Sequence, residues 1–299
     1  MSEIKVLLIT DTPYWASHIT VSNIIKHISP EFKCEKNHGL SFRPSHLEYD
    51  LVYIHCSYAY DPKALREYRR RNTKSRMLGG VRGWISLHRC IQAIQLYDAV
   101  NADNLKLLQE VKKFHSDVHL CHAGVDTKLF KPSGRNGGPF TVGWAGDTRK
   151  GLKNSELLPK LGFKYKIATK RGLGPYYPYE KMPGFYNSID VLVQLSSYRQ
   201  PGRDAEGCPL PVLEAMACGK PVLATSTSGA ARECLDGYQI ILGHILAEGL
   251  EEMKGKLAQL RDDKGLRERL GERNRRLAVE KWGWDIIVKQ YEKFFKSVI

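Results

Sequence analysis

The chain has 299 residues, enough for two domains with well-buried cores, and its 42 % hydrophobic and 26 % charged residues exclude a disordered or fibrous class. No apolar run approaches the roughly 18 residues of a membrane span, so a soluble chain is expected. A formal net charge of +14 and a pI near 9.4 favour anionic partners, whether nucleotides, acidic membrane surfaces or nucleic acid.

Ile4–Ile9 predicts a buried strand at the very start, which argues against a signal peptide. Asp11 to Trp15 reads as a loop, and the apolar spacing from Ile19 to Ile28 as a helix. Leu51–Ile54 is a second buried strand and Pro62–Arg71 a helix. The basic run through Arg66, Arg69, Arg70, Arg71, Lys74 and Arg76 has two readings. It is a solvated helix end whose cations suit the dipole, or a docking patch for phospholipid headgroups or a nucleic-acid backbone. Met77-Leu78 opens a short strand that runs into a glycine-rich turn, Gly79 to Gly83. Strands at Tyr97–Val100 and Val118–Cys121 bracket a helix at Asn104–Phe114. This alternation predicts an α/β chain with a parallel, doubly wound sheet.

Pro132-Ser-Gly-Arg-Asn-Gly-Gly-Pro139 is the clearest linker. A second α/β unit follows, with strands at Phe140–Trp144, Phe163–Ala168, Val191–Leu195, Pro221–Ala224 and Tyr238–Leu242. Leu246–Leu260 and Leu266–Val279 read as amphipathic helices. A last helix runs from Trp284 to Ile299, with Ile287, Tyr291, Phe294, Phe295 and Val298 at helical spacing. The expected division is 1–132, 133–282 and a closing helix over 283–299. Seven cysteines without paired spacing point to reduced thiols and a cytoplasmic setting. His119, Cys121 and His122 lack a second ligand cluster of the usual spacing, so no metal is expected there.

Chemistry concentrates between Glu206 and Thr225. Glu206 and Glu214 stand eight residues apart around the start of a short helix. Pro209 and Pro211 suit its first turn, and Gly219 with Pro221 ends it. As continuous helix, that spacing is roughly 12 Å, longer than the about 5–9.5 Å between paired glycosidase acids. Each carboxylate is therefore expected to hold a different part of one extended ligand. The helix N-terminus would face an anion between them. Hydroxyls at both ends and phosphate in the middle describe a nucleotide-sugar. Gly143-Trp-Ala-Gly-Asp147-Thr-Arg149-Lys150-Gly151 follows a strand and combines a glycine-bearing loop with cations, which suits a diphosphate.

The Glu206–Thr225 segment resembles the E-x7-E signature of retaining glycosyltransferases of family 4. Met182-Pro-Gly-Phe-Tyr-Asn-Ser-Ile-Asp190-Val-Leu-Val resembles the segment upstream of that signature. Cys121 to Pro132 resembles the family's interdomain linker, and Leu266 to Phe295 its two closing helices. The resemblance is specific from about residue 95 onward and thin over the first 90. It implies a GT-B fold, two facing Rossmann-like domains with the last helix crossing back to the N-terminal one. It also implies a metal-independent transfer from a nucleotide-diphosphate sugar, a co-substrate rather than a cofactor, by front-face displacement with retention.

By the same resemblance Glu214 would bond the ribose hydroxyls and Glu206 the donor sugar near its reacting carbon. The backbone of Gly207, Cys208, Pro209 and Leu210 would meet sugar hydroxyls and phosphate. Lys150 matches the family's diphosphate-binding lysine, while Trp144 stands where the family has an arginine and Arg149 is the candidate substitute. The family's N-terminal histidine has no match in Gly80–Trp84. His18 and His55 are the nearest substitutes on the acceptor side, Arg82 is a candidate for an anionic group, and Trp15 and Trp84 are candidates for stacking. A glycan, a lipid-linked saccharide and a nucleic acid are all compatible acceptors, with peripheral contact at an anionic inner membrane face. Two rival readings stand beside this one, a phage-type transferase acting on modified bases and a degenerate GT-B subunit that binds without turnover.

Overall fold

The computed structural model describes residues 3–11, 16–41, 43–134, 137–148, 151–169, 174–197 and 206–299, without the side chains of Tyr58 and residues 84–86. Contacts divide the chain into two units, Met1–Gly124 with Trp284–Ile299, and Val125–Gly283. Each holds one sheet.

In unit 1 the order is β1 (Ile4–Thr10), α1 (Ala16–His27), β2 (Phe32–His38), β3 (Leu51–Ile54), α2 (Pro62–Arg71), β4 (Arg76–Val81), α3 (Trp84–Cys90), β5 (Ala99–Ala102), α4 (Leu105–Val111) and β6 (Val118–Leu120). These strands pair in parallel in the order β2-β1-β3-β4-β5-β6. Strand β3 is buried along its whole length, as a sheet covered on both faces requires. Leu7, Ile9, Val52, Ile54, Met77 and Tyr97 share its core. Asp61 caps α2 by accepting from Lys63 N at 2.7 Å, and Asn104 caps α4 through Leu107 N at 2.8 Å.

Two features depart from the hydrophobic pattern here. Phe32–His38 is a strand with no apolar run to mark it. Its pattern is polar because β2 lies at the sheet edge and buries only Phe32 fully. Gly79 and Gly80 are not a turn but lie inside β4. A Cβ on Gly79 would stand 2.9 Å from the Tyr97 ring, and one on Gly80 2.2 Å from the His55 carbonyl oxygen. Close packing, not chain reversal, explains both glycines.

The closing helix, α10 (Trp284–Lys296), belongs to unit 1 and packs on α1. Ile287, Tyr291, Phe294 and Phe295 are buried, and the Phe295 ring meets Phe32 at 5.9 Å. Ser29 N donates to Glu292 at 2.9 Å, and His27 meets Asp285 at 2.7 Å, so the helix is tied to the end of α1 and to the turn after it.

Unit 2 runs β7 (Thr141–Gly146), β8 (Lys164–Thr169), α5 (Met182–Asn187), β9 (Val191–Gln194), α6 (Leu210–Ala217), β10 (Val222–Thr225), α7 (Ala231–Cys234), β11 (Ile240–Ile241), α8 (Glu248–Asp262) and α9 (Lys264–Lys281). Its sheet is parallel in the order β11-β10-β9-β7-β8. Leaving β7, the chain builds β8 on one side and then crosses to β9 on the other. That reversal makes the carboxyl ends of β7 and β9 the switch point of the sheet, the place where open α/β sheets bind ligands. In unit 1 the equivalent point lies between β1 and β3.

Candidate donor site

The carboxyl ends of β7 and β9 gather the polar groups of unit 2. Past β7, a single turn over Gly151–Lys153 leads to Asn154, which takes a left-handed φ of 48°. The Asn154 amide donates to the Leu195 carbonyl at 2.8 Å, and Ser197 N donates to the Leu152 carbonyl at 2.9 Å. The turn is thereby stitched to the end of β9, which fixes Lys153. Its ammonium donates to Glu206 Oε1, and that oxygen also accepts from Ser196 Oγ at 2.7 Å and Gln194 Nε2 at 3.4 Å. The two charged side chains are 17 % and 16 % exposed, so water screens the pair only in part. Among the described residues, nothing donates to Glu206 Oε2.

The Glu206 loop is seated from below by the carboxyl end of β10. Ala230 N donates to the Gly207 carbonyl at 2.8 Å. Gly229 has φ 55°, and a Cβ there would lie 2.0 Å from the Gly207 oxygen. Only glycine permits that approach. Thr225 and Thr227 both donate to the Ser196 carbonyl, at 2.5 and 2.9 Å, and so join the ends of β9 and β10.

Helix α6 starts at Leu210 after an extended Pro209, with Pro211 in its first turn and no side-chain cap. Glu206 therefore lies in the loop before the helix, and the all-helix spacing assumed from sequence does not apply. Val212 to Ala217 are buried without a break, Glu214 among them. Gly219 ends the helix with φ 69°. Glu214 Oε2 accepts from the Tyr186 hydroxyl of α5 at 2.6 Å. Burial pushes the Glu214 carboxyl up to about 7, with the Tyr186 hydrogen bond pulling the other way.

Trp144, at the position where the resemblance expects an arginine, is 1 % exposed on β7 and packs in the core with Leu157, Leu158 and Val193, while a Cβ on Gly146 would stand 2.9 Å from its ring. Arg149 and Lys150 lie outside the described residues. Lys153, Ser196, Gln194 and Tyr186 were not expected. Lys153 was hidden behind the nearer match at Lys150, and its one local signal is the following asparagine in a left-handed turn.

In unit 1, Trp15 and the side chain of Trp84 lie outside the described residues. His55 is buried at the end of β3, 3.1 Å from the Tyr53 hydroxyl, and burial and the Arg82 charge hold it well below the usual imidazole range. The Arg82 guanidinium donates to the carbonyls of His55 at 3.2 Å and Cys121 at 3.3 Å, to Asn101 Oδ1 at 3.2 Å, and to the Tyr53 hydroxyl. It braces the strand ends from within the protein. His18, on α1, stands 3.3 Å from the Lys36 ammonium and stacks on His38. In the basic run Arg69 binds Asp98 at 3.1 Å and the Ser75 carbonyl at 3.3 Å, whereas exposed Arg70 and Arg71 share Glu67. His119 pairs with Asp117 at 2.7 Å, and His122 N donates to Gln290 at 2.9 Å.

The profile of the family "Glycosyl transferases group 1" matches residues 103–277, more than half of the chain. An uncharacterized glycosyltransferase of Methanocaldococcus jannaschii is 25 % identical over 219 residues, 68 % of this chain and 52 % of its own length. The MMP alpha-(1->4)-mannosyltransferase of Mycolicibacterium hassiacum is 26 % identical over 229 residues, 70 % of this chain and 55 % of its own. The chain thus spans about half the length of these relatives. In fold it is similar to the Anabaena protein HepE solved with UDP-glucose, at TM-score 0.75 and 14 % identity over 99 % of this chain and 100 % of that one. Among the described residues no helix is long and apolar enough to cross a membrane. Two parallel α/β sheets of GT-B type and a family match that runs through Glu206 and Glu214 lead to one conclusion: the chain belongs to the group 1 glycosyl transferases, family 4.

Proposed function

We propose that this chain moves a sugar from a nucleotide-diphosphate sugar to an acceptor hydroxyl, with retention of configuration. The observation that carries the reading is Glu206, braced through one oxygen by Lys153, Ser196 and Gln194 at the switch point of unit 2, with its other oxygen accepting from no described residue. That oxygen would take a hydroxyl of the donor sugar. Lys153 lies within reach of a diphosphate held at the same strand ends, where its charge stabilises the leaving group more as negative charge develops. Glu214 would take the ribose, accepting through the oxygen that Tyr186 does not use. The front of α6, without a side-chain cap, adds a partial positive charge. The reading needs no metal ion, because Lys153 and the helix supply the positive field.

The relatives support the substrate class: one is named as a mannosyltransferase and the structural neighbour holds UDP-glucose. On this reading unit 1 presents the acceptor, a glycan, a lipid-linked saccharide or a nucleic acid. The charge of +14 and the exposed Arg70 and Arg71 favour approach to an anionic membrane surface from the cytoplasmic side.

Incubation with UDP-, GDP- and ADP-sugars in the absence of acceptor tests the reading. One donor should be slowly hydrolysed, with free nucleoside diphosphate accumulating, and Glu206→Gln should abolish the release. Binding of a donor with no release, in the presence or absence of candidate acceptors, would instead support a subunit that binds without turnover.

A further inference from the structure

The one-sided charge of the seam between α1 and β2 has no role in the donor site. Lys36 and His38 stand two residues apart on β2 and so share a face, while His18 and Ser22 stand four apart on α1 and so share another. The two pairs meet. The Lys36 ammonium donates to Ser22 Oγ at 2.8 Å and lies 3.3 Å from His18 Nε2. His18 and His38 stack at 5.2 Å with ring planes 13° apart, and His38 Nδ1 is 2.6 Å from Thr10 Oγ1. Thr10 is the last residue of β1 and pairs with His38 across the sheet. The seam therefore opens at the carboxyl end of β1, beside the β1/β3 switch point of unit 1.

Among the described residues no carboxylate pairs with Lys36. Glu35 points to the other face and accepts from Tyr49 at 2.6 Å, while Asp11, at the end of β1, accepts from Ser17. Lys36 is half-buried, and burial alone holds its ammonium below the usual lysine range. A cation withdrawn from water is ordinarily matched by an opposite charge. Two imidazoles beside it add donors that become cationic on protonation, and an oxyanion would hold both.

We propose that Lys36, His18 and His38 form a subsite for an oxyanion carried by the acceptor, either a phosphate ester or the carboxylate of a sugar acid. The proposal rests on the reading above that unit 1 presents the acceptor, and it narrows that acceptor to an acidic one. His38 is exposed and Lys36 half-buried, so the group would enter from the solvent side of the strand end.

Titration of the whole chain with inorganic phosphate, and separately with glucuronate, tests this through the histidine side-chain resonances in NMR. One anion or both should shift the His38 and His18 signals saturably. The tighter arm then names the source, phosphate ester or sugar acid. Lys36→Met and the exposed His38→Gln should each weaken that binding at least about fivefold. Donor binding, followed by thermal shift in the same samples, should stay unchanged in both variants, so this claim and the donor reading fail separately. The absence of a saturable shift with either anion up to about 50 mM, at constant ionic strength, would overturn the proposal. So would unchanged affinity in both variants.

Discussion

At Glu214, folding and the proposed ribose contact pull in opposite directions. Burial raises its carboxyl to about 7 from an ordinary 4.5, and the Tyr186 hydroxyl offsets part of that rise. Between those values the folded chain binds more protons than the unfolded chain, so this residue's contribution to stability falls as pH rises from 4.5 to 7. At about 1.4 kcal/mol per pKa unit, the cost above pH 7 is at most on the order of 3–4 kcal/mol. Glu214→Gln should therefore be more stable than the parent at pH 8 and equal to it near pH 4, as read by urea unfolding. Affinity for nucleotide runs the other way: a ribose bound by the carboxylate should be held more tightly as pH rises through about 7. Tyr186→Phe removes a hydrogen bond that favours the charged form, so the midpoint of that affinity profile should move to higher pH. A midpoint that stays in place would mean that Tyr186 only fills space. Lys153→Met should lower turnover about 100- to 1,000-fold with a smaller change in donor KM, the pattern of a charge acting on the transition state. The two glutamates were legible because their spacing and the apolar residues around Glu214 are local facts. Lys153 and Tyr186 were not, because what marks them is a contact made across 53 and 28 residues of chain.

At the level of elements, most strands and helices could be read from hydrophobic period alone. Helix α2 and strand β3 fall on the expected residues, since both carry their punctuation, Asp61-Pro62 and a four-residue apolar run, in the sequence itself. The failures share one cause. Strand β2 is held by its backbone pairing with β1, which leaves its side chains free to be polar, and the β4 glycines answer to Tyr97 and His55 rather than to their neighbours in sequence. The same logic makes the loop before α6 sensitive to a distant residue. Gly229→Ala adds a methyl group 2.0 Å from the Gly207 oxygen at a positive φ, and either the loop or the turn must move. A loss of about 1–3 kcal/mol in stability is expected, with weakened donor binding because Glu206 moves with its loop. Gly162→Ala is the matched control. Its φ is 78° but no atom lies within 4 Å of the new methyl group, so stability should fall and donor affinity should not. Equal donor affinity in both variants would separate the loop from the site.

Across the whole molecule, the two units repeat one plan, a parallel sheet whose strand order reverses once. Unit 2 has a braced carboxylate and a lysine at the reversal, and in unit 1 the proposed oxyanion subsite opens beside it. Family membership was legible because the E-x7-E segment and its flanks are contiguous in sequence, while the first 90 residues resemble little and their histidine and lysine cluster emerges only when β2 forms. The central claim is that Glu206 and Glu214 hold opposite ends of one nucleotide-sugar. Thermal shift of the parent chain, Glu206→Gln and Glu214→Gln against UDP-, GDP- and ADP-sugars and the matching free diphosphates tests it directly. A ligand at 100 times its Kd should stabilise the parent by about 2.7 kcal/mol. Glu214→Gln should lose the response to both nucleotide-sugar and free nucleotide, whereas Glu206→Gln should lose the extra response due to the sugar and keep that to the nucleotide. Loss of the same component in both variants, or of neither, would contradict the account.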